Sequence, residues 1–334
     1  MKKVVCCGSL NFGGGAPNEE FLRGLREEGF DFVFPIGPVG KPLGDEEKNR
    51  VFEALEDADG FIPGGIYVSE AVLNRAPRLK ALVFSGVGYS SFIDVEACKR
   101  RGVEVGFCPG ANAVAVAEFA SALLVSGIKN IPWFNAQVKG SAFWSPQSTP
   151  DIYDKVLGFW GLGNVGFRLA RIMRYGYGCK ILFKNRSSKP EAKEVLDAEE
   201  RSFEELLAES DVFIVGVSLT EETAGMINEE RIARMKDGAI LLNFARSEIV
   251  DTPAVLKALE TGKLSKYITD VFHSDTVARE EAVKWKGKYP GDDKLIVTPH
   301  TCFFAPSTGR QMEAMVLDTM KKLLRGEDIP NKAR

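Results

Sequence analysis

Histidine and cysteine, the usual ligands of structural zinc, are scarce in this sequence. It contains two histidines and six cysteines, and no two cysteines are spaced as a C-x-x-C pair. A structural zinc site needs about four clustered cysteine or histidine ligands. We therefore expect no structural zinc site and no bound metal. Scattered thiols of this kind are typical of a reduced, cytoplasmic protein.

Long apolar runs and basic clusters are also missing. No stretch approaches the ~18 apolar residues that a membrane-spanning helix requires. The apolar residues after Lys2 and Lys3 are too few for a signal peptide and predict a first buried strand instead. The 43 basic residues are balanced by 46 acidic ones, for a formal net charge of -3. Because nucleic-acid binding depends on basic residues gathered on one face, we expect neither nucleic acid nor membrane as a partner.

Short apolar runs alternate with amphipathic helical stretches over all 334 residues, a length that suits two domains. This order predicts an α/β fold of two doubly wound parallel sheets with a cleft between them. Asn18 and Ser69 indicate helix starts, and Ser202 with Glu205 indicates a capping box. A long Ala- and Val-rich helix is predicted over 112–138. The predicted strands cover 4–7, 32–34, 60–62, 81–84, 103–107, 155–160, 180–183, 212–215, 239–243, 267–270 and 295–297.

A glycine-rich turn directly follows the predicted strand 155–160 and precedes a helical run at 167–175. In this context the first glycine permits a tight turn, the second lets the backbone approach a pyrophosphate, and the third lets helix and strand pack closely. The helix N-terminus attracts the phosphates. The pattern therefore predicts a dinucleotide site, the alternative being a packing turn without a ligand. The turn consists of Gly161, Leu162, Gly163, Asn164, Val165 and Gly166.

The residues that contact the adenosine ribose are expected about 20 residues after the turn. There the strand 180–183 leads into Asn185, Arg186 and Ser187 rather than into an acidic residue. A carboxylate would bind both ribose hydroxyls and repel a 2′-phosphate, whereas a guanidinium suits bidentate phosphate contact. The sequence therefore favours NADP(H) over NAD(H), the alternative being that Arg186 points into solvent.

Histidine is the usual proton donor near neutral pH, and the chain offers only His273 and His300. His300 follows the strand 295–297 and so projects from the carboxyl edge of a sheet, where doubly wound folds bind ligands. His273 lies in the loop after Asp270. A lone histidine is often structural, but the position favours His300 as the catalytic group.

Four ordered segments resemble those of the D-isomer-specific 2-hydroxyacid dehydrogenases. They are the glycine turn, the run 240–251 containing Arg246, the run 270–272 followed by Asp275, and the triplet 298–300 ending in His300. The resemblance extends over nearly the whole chain, and the run 181–187 is most similar to the glyoxylate and hydroxypyruvate reductase branch. It implies a flavodoxin-like substrate domain formed by 1–108 and 302–334, and a Rossmann cofactor domain formed by 109–301.

The resemblance also implies a role for each site residue. Arg246 would bind the carboxylate and carbonyl of a 2-keto acid, and His300 would protonate the carbonyl oxygen. Asp275 would orient the imidazole and favour its charged form. A loop that holds the substrate carboxylate by backbone N–H groups would consist of Ser85, Gly86, Val87 and Gly88. The remaining cofactor contacts would fall on Val217, Ser218, Thr223, Phe244, Ala245 and Asp270.

Several positions depart from the family pattern. Asp275 stands where a glutamate is usual and is one methylene shorter. Ser247 replaces the glycine that normally follows the arginine. Phe303 and Phe304 replace small residues after the histidine, where they either narrow the substrate pocket or pack between the domains. The segment 276–294 has no role that the family assigns.

The leading function is NAD(P)H-dependent reduction of small 2-keto acids, such as glyoxylate or hydroxypyruvate, to D-2-hydroxy acids. One alternative is 3-phosphoglycerate dehydrogenase, and another is a dinucleotide-sensing, corepressor-like binding protein that keeps the catalytic trio without turnover. The region 112–144 resembles the helix and arm through which these enzymes dimerise. We therefore expect a homodimer whose interface contains Trp133 and Phe134, the alternative being that these rings pack within their own chain.

Overall fold

The computed structural model describes residues 1–7, 19–36, 43–141, 147–271 and 294–333. They form two compact units, one made of Met1–Asn112 with Phe304–Arg334 and the other of Ala113–Phe303. The first unit is thus built from both ends of the chain, and the second is inserted between them. The sequence predicts the two crossings near residues 108 and 301, and the structure has each of them a few residues later.

A five-stranded sheet forms the centre of the first unit. Every strand pairing in it is parallel. The strands are β1 (Lys2–Cys7), β2 (Phe30–Ile36), β3 (Gly60–Ile62), β4 (Ala81–Val83) and β5 (Glu104–Gly106), in the order β2-β1-β3-β4-β5. This is the flavodoxin-like order, as predicted. The helices of the unit are α1 (Glu19–Glu27), α2 (Asp45–Leu55), α3 (Glu70–Asn74), α4 (Val95–Arg100) and the final helix α12 (Pro306–Arg325).

A seven-stranded, fully parallel sheet forms the centre of the second unit. Its strands are β6 (Val156–Trp160), β7 (Lys180–Lys184), β8 (Glu199–Glu200), β9 (Val212–Val215), β10 (Ala239–Asn243), β11 (Leu264–Thr269) and β12 (Leu295–Val297). The order β12-β11-β10-β9-β6-β7-β8 is that of a Rossmann sheet with one extra strand. The short strand β8 is not predicted from the sequence, because both of its residues are exposed glutamates without an apolar pattern.

The predicted single helix over 112–138 is wrong, because the structure has two helices there with a bend of 61° between them. Asn130 adopts a left-handed conformation at φ 51°, which ends the first helix, and its carbonyl accepts from the Phe134 N–H at 3.0 Å to begin the second. Pro132 has no N–H to continue the earlier helix. The helices of the unit are α5 (Ala113–Ile128), α6 (Ile131–Ser141), α7 (Asn164–Tyr177), α8 (Pro190–Leu196), α9 (Phe203–Glu209), α10 (Glu229–Ala233) and α11 (Thr252–Thr261).

Helices α5 and α6 are the described part of the chain that comes nearest to a membrane-spanning segment. Over the described ranges, no single helix is long and apolar enough to cross a membrane. Helices α5 and α6 meet the length and composition only when they are counted together across their bend.

Apolar clusters cover both faces of each sheet. In β9, Val212 and Ile214 belong to the cluster on one face, while Phe213 and Val215 belong to the cluster on the other. Successive side chains of a strand point to opposite faces, so a strand buried on both faces is apolar throughout. This burial is why the apolar runs predict the central strands so well.

The two predicted serine caps differ in the structure. The Ser202 hydroxyl accepts from the Glu205 N–H at 3.2 Å, and the Glu205 carboxylate accepts from the Ser202 N–H at 2.8 Å. The capping box at the start of α9 is therefore confirmed. Ser69 is the N-cap residue of α3, so the predicted helix start is confirmed, but its hydroxyl makes no capping hydrogen bond. Asn18 lies outside the described residues.

Candidate active site

The sequence-predicted site residues of the second unit converge on one edge of its sheet. The strands are parallel, so the segments that follow their carboxyl ends all lie at the same edge. Strand β6 lies between β7 and β9, where the strand order reverses and doubly wound folds bind dinucleotides. The segments that reach this edge are 161–166 after β6, 185–187 after β7, 217–223 after β9, 244–246 after β10, 270 after β11 and 298–300 after β12.

The glycine turn needs two of its glycines for steric reasons. Gly161 has φ +96°, and a Cβ added to it would lie 2.6 Å from the backbone of Gly216 and 2.7 Å from the Val217 nitrogen. A Cβ added to Gly166 would lie 2.7 Å from the Gly161 oxygen. A side chain at Gly161 would therefore push the turn away from the loop after β9. A side chain at Gly166 would push helix α7 away from the turn.

Gly163, the second glycine of the turn, leaves open space for a ligand. Helix α7 begins at Asn164 with Gly163 as its N-cap, and a Cβ added to Gly163 would meet no atom within 4 Å. The first N–H groups of a helix have no intrahelical acceptor, and those of Asn164 and Val165 donate to no other described residue. A pyrophosphate fits this arrangement, because open backbone N–H groups and the helix dipole both favour an anion.

The residues after β7 present donors rather than a carboxylate. The Asn185 Oδ1 atom accepts from the Leu162 N–H at 2.6 Å, which leaves the Asn185 amide N–H groups as donors. Arg186 is exposed, and its guanidinium has no hydrogen bond or ion pair with any described residue. Ser187 is exposed beside it. This side of the turn can therefore donate several hydrogen bonds to an anionic ligand.

The loop after β9 is closed by its own side chains. The Thr223 hydroxyl donates to the Ser218 carbonyl at 2.8 Å and accepts from the Thr220 N–H at 2.8 Å. Val217 and Phe244 are partly buried against the two apolar clusters of the sheet, Val217 on one face and Phe244 on the other. These contacts keep both loops close to the carboxyl edge on which the glycine turn lies.

Arg246 is a partly buried cation at the end of β10. Its guanidinium donates to the Ala245 carbonyl at 2.7 Å, and no other described residue accepts from it. Burial lowers the pKa of Arg246 below its ordinary value, and the nearby Glu248 carboxylate opposes this shift. The group remains a cation at neutral pH with free donors, which suits it to bind an anion.

Asn243 shapes the turn that carries Arg246, and sequence reasoning missed it. This fully buried residue ends β10. Its carboxamide donates to the Arg246 carbonyl at 2.9 Å and accepts from the Ala245 N–H at 2.9 Å. The polar residue at the end of an otherwise apolar strand is the signal that could have identified it. Ser247 stands where the family usually has a glycine. It does not adopt a positive φ, so the serine causes no backbone strain there.

His300 lies in a tight turn after β12. It adopts a left-handed conformation with φ 55°, and its N–H donates to the Thr298 carbonyl at 3.0 Å. Its ring meets the ring of Phe303 edge-on, with 5.5 Å between centroids. The predicted partner Asp275 lies outside the described residues, as does His273.

Asp270, predicted as a cofactor contact, is surrounded by the turn that contains His300. Only 2% of the residue is exposed. Its Oδ1 atom accepts from the Thr298 hydroxyl and, at 3.0 Å, from the Thr301 N–H. Its Oδ2 atom accepts from the Cys302 N–H at 2.9 Å. The sequence did not indicate these contacts.

The predicted substrate loop, 85–88, belongs to the first unit. The Cys108 N–H donates to the Gly86 carbonyl at 2.8 Å, which fixes the base of the loop. The N–H groups of Val87 and Gly88 have no acceptor among the described residues, and Val87 is 41% exposed. Two adjacent open N–H groups can bind a carboxylate.

A cavity of about 590 Å³ opens at the opposite, amino edge of the Rossmann sheet. It contains none of the predicted site residues, and one of its lysines, Lys236, is already paired with Asp211 at 2.8 Å. The cavity is therefore separate from the carboxyl edge, where the described members of the predicted site in the second unit lie.

A Rossmann sheet with an open helix N-terminus at its switch point, and with an arginine and a histidine at the same edge, defines a dinucleotide-dependent oxidoreductase. The family model of the D-isomer specific 2-hydroxyacid dehydrogenase, NAD binding domain, matches residues 121–302. A glyoxylate reductase from Thermococcus kodakarensis is 37% identical over 298 residues, which cover 85% of this chain and 86% of the relative. The chain therefore belongs to the D-isomer specific 2-hydroxyacid dehydrogenase family, and it is an NAD(P)-dependent oxidoreductase.

Two further relatives agree with this membership. A glyoxylate/hydroxypyruvate reductase B from Yersinia enterocolitica is 29% identical, with 86% of this chain and 88% of the relative covered. The structure of a D-lactate dehydrogenase from Aquifex aeolicus, complexed with NAD and lactic acid, superimposes with a TM-score of 0.77 at 25% identity. That match covers 97% of this chain and 96% of the other. The likeness thus extends over both units.

Proposed function

We propose that this protein reduces a small 2-keto acid to the corresponding D-2-hydroxy acid, with NADPH as the preferred cofactor. The observation that carries the proposal is the placement of Arg246 and His300 at the sheet edge that also holds the glycine turn. Relatives named glyoxylate reductase and glyoxylate/hydroxypyruvate reductase support glyoxylate and hydroxypyruvate as the keto acids.

Each residue has one task in this reaction. A reduced nicotinamide, when bound, supplies a hydride to the carbonyl carbon of the substrate. Arg246 binds the substrate carboxylate through its free donors and polarises the carbonyl group. His300 donates a proton to the carbonyl oxygen, so that one hydride and one proton convert the keto group into a hydroxyl. Asp275 keeps its predicted role of orienting the imidazole.

The substrate carboxylate has a second proposed set of donors. The open N–H groups of Val87 and Gly88 suit a carboxylate. Backbone N–H groups do not titrate near neutral pH, so they remain hydrogen-bond donors. Ser85 and Gly86 complete this loop. The first unit would then be the substrate domain and the second the cofactor domain.

The preference for NADPH follows from the residues after β7. No carboxylate stands in 185–187 to repel a 2′-phosphate, and Arg186 offers a guanidinium that pairs with no residue in the described part of the chain. The remaining contacts to the cofactor are assigned to the glycine turn and to the loops after β9 and β10.

We also propose a homodimer through helices α5 and α6. Ile131 and Val138 on α6 are 52% and 54% exposed, and the rings of Trp133 and Phe134 meet edge-on with 5.0 Å between centroids. Apolar side chains left exposed along one helix are typical of an interface. Sedimentation should give twice the chain mass of 36.6 kDa, and Ile131→Asp should shift the protein toward monomer; a monomeric natural protein would contradict this part of the proposal.

The reaction itself is tested with a substrate panel. Oxidation of NADPH and of NADH is followed with glyoxylate, hydroxypyruvate, pyruvate and 3-phosphohydroxypyruvate. We expect the highest kcat/KM for NADPH with glyoxylate or hydroxypyruvate. A clear preference for 3-phosphohydroxypyruvate would favour the 3-phosphoglycerate dehydrogenase alternative. Cofactor binding without turnover of any keto acid would favour a dinucleotide-sensing protein.

A further inference from the structure

One buried carboxylate receives hydrogen bonds from both sides of His300. The Thr298 hydroxyl, two residues before the histidine, donates to Asp270 Oδ1. The backbone N–H groups of Thr301 and Cys302, which follow the histidine, donate to Oδ1 at 3.0 Å and to Oδ2 at 2.9 Å. The segment 298–302 is therefore tied at both ends to a single side chain that directly follows β11.

The thiol of Cys302 adds a further contact to the same carboxylate. Burial, and then a side-chain hydrogen bond to Asp270, raise the pKa of Cys302 far above its ordinary value. A carboxylate has about four acceptor positions, and the segment 298–302 occupies three of them through the Thr298 hydroxyl and the N–H groups of Thr301 and Cys302.

His300 needs such support because of its backbone. Its φ of 55° is a left-handed conformation that residues with a Cβ rarely adopt. Conformations of this kind persist only where the surrounding structure fixes them. The described structure supplies that restraint through Asp270 on one side and through the Thr298 carbonyl, which accepts from the His300 N–H at 3.0 Å, on the other.

We propose that Asp270 and Thr298 are positioning residues that hold His300 in its proton-donating orientation, and that Asp270 serves this turn rather than a cofactor contact. This assignment departs from the one that the family resemblance implies for Asp270. Neither residue touches the substrate in this role. Their effect on turnover rests on the proposed function, whereas their effect on the orientation of His300 does not.

The test uses two substitutions at Thr298 that differ in one group. Thr298→Val keeps the shape of the side chain and removes the hydroxyl, whereas Thr298→Ser keeps the hydroxyl and removes the methyl group. We expect Thr298→Val to lower kcat about 10- to 100-fold, since small displacements of a catalytic group have effects of that order. Cofactor Kd should change by less than about threefold, and Thr298→Ser should recover most of the lost kcat. Asp270→Asn, in which an amide donor replaces an acceptor, should share the loss of kcat with unchanged cofactor Kd.

A second measurement does not depend on activity. The chain has only two histidines, so a His273→Gln background leaves the imidazole of His300 as a single resonance in a ring-labelled sample. We expect one sharp signal in this background and in Thr298→Ser, and a broadened or split signal in Thr298→Val, with thermal unfolding showing that each variant is folded.

The outcomes separate this proposal from the proposed function. If no keto acid is reduced but the His300 signal responds as expected, the proposed function fails and the positioning role stands. If Thr298→Val leaves both kcat and the signal unchanged, the positioning role is wrong. If Asp270→Asn instead raises the cofactor Kd strongly without changing the signal, Asp270 is a cofactor ligand.

Discussion

The Asn185 side chain and the Leu162 N–H are joined by a hydrogen bond of 2.6 Å, which ties the end of β7 to the glycine turn. The bond fixes which end of the carboxamide faces the turn and leaves its two N–H donors for a ligand. An aspartate could accept the same bond, but it would bring a negative charge to this position. The choice between amide and acid here therefore controls charge without changing the local geometry.

Asn185→Asp should reverse the cofactor preference. The carboxylate keeps the acceptor for the Leu162 N–H and can accept from ribose hydroxyls, but it repels a 2′-phosphate. We expect KM for NADPH to rise about tenfold or more, since a tenfold change needs only ~1.4 kcal/mol. KM for NADH should stay the same or fall. Steady-state kinetics with both cofactors measures this.

Arg186→Ala provides the complementary change, because it removes the cation and leaves Asn185 in place. It should weaken NADPH far more than NADH. Arg234→Ala is the matched control: Arg234 precedes β10, at the opposite edge of the sheet, and its carboxylate partners are Glu230 and Glu204. Equal losses for both cofactors in Arg186→Ala would remove the basis for the NADPH preference.

The two N-cap serines should differ in their contribution to stability. Ser202→Ala removes a hydroxyl that accepts from the Glu205 N–H at 3.2 Å, and should lower the free energy of unfolding by about 1 kcal/mol. Ser69→Ala removes a hydroxyl that caps nothing, so its effect should be much smaller. Urea denaturation of both variants measures the difference; equal effects would mean that the cap at Ser202 adds nothing.

The thiols should be unreactive in the folded protein. All six cysteines are buried thiols that form no disulfide, and burial raises the pKa of Cys7 and Cys108 to about 12 and of Cys98 and Cys179 to about 11. Since the thiolate is the reactive form, a disulfide reagent at pH 8 should react more than about 100-fold faster with the urea-unfolded chain than with the native one.

The same pKa shifts predict how stability depends on pH. A thiol whose pKa is raised on folding stabilises the folded state below its unfolded pKa of about 8.5, and this stabilisation is lost as the pH rises toward the folded pKa. The free energy of unfolding should therefore decline above pH ~8.5. In the disulfide-reagent experiment, a rapid reaction of several native thiols would show that their burial is incomplete.

The sequence predicts the sheets better than it predicts the loops. Strands such as β9 are apolar on both faces, so their composition alone identifies them. Strand β8 consists of two exposed glutamates. Its pairing with β7 therefore depends on the segments before and after it rather than on its own side chains. The break between α5 and α6 depends on Asn130 in a left-handed conformation, which a helix-forming composition on both sides conceals.

The site shows the same division between local and distant information. The need for glycine at 166 is encoded locally, because its close contact is with the Gly161 oxygen in the same strand, turn and helix succession. The role of Asp270 is not, because its partners Thr301 and Cys302 lie 31 and 32 residues further along the chain. A side chain that accepts hydrogen bonds from such distant backbone groups leaves no sequence pattern.

The most direct measurement is kcat/KM for hydroxypyruvate and glyoxylate with NADPH, compared between the natural protein, Arg246→Lys and the control Arg234→Ala. Lysine keeps the positive charge but lacks the planar pair of donors that binds a carboxylate. Arg246→Lys should therefore lower kcat/KM about 100-fold or more, while Arg234→Ala stays within about threefold of the natural protein. Turnover in the natural protein together with this loss is the predicted result. An Arg246→Lys variant as active as the control, or a natural protein that reduces neither acid, would contradict it.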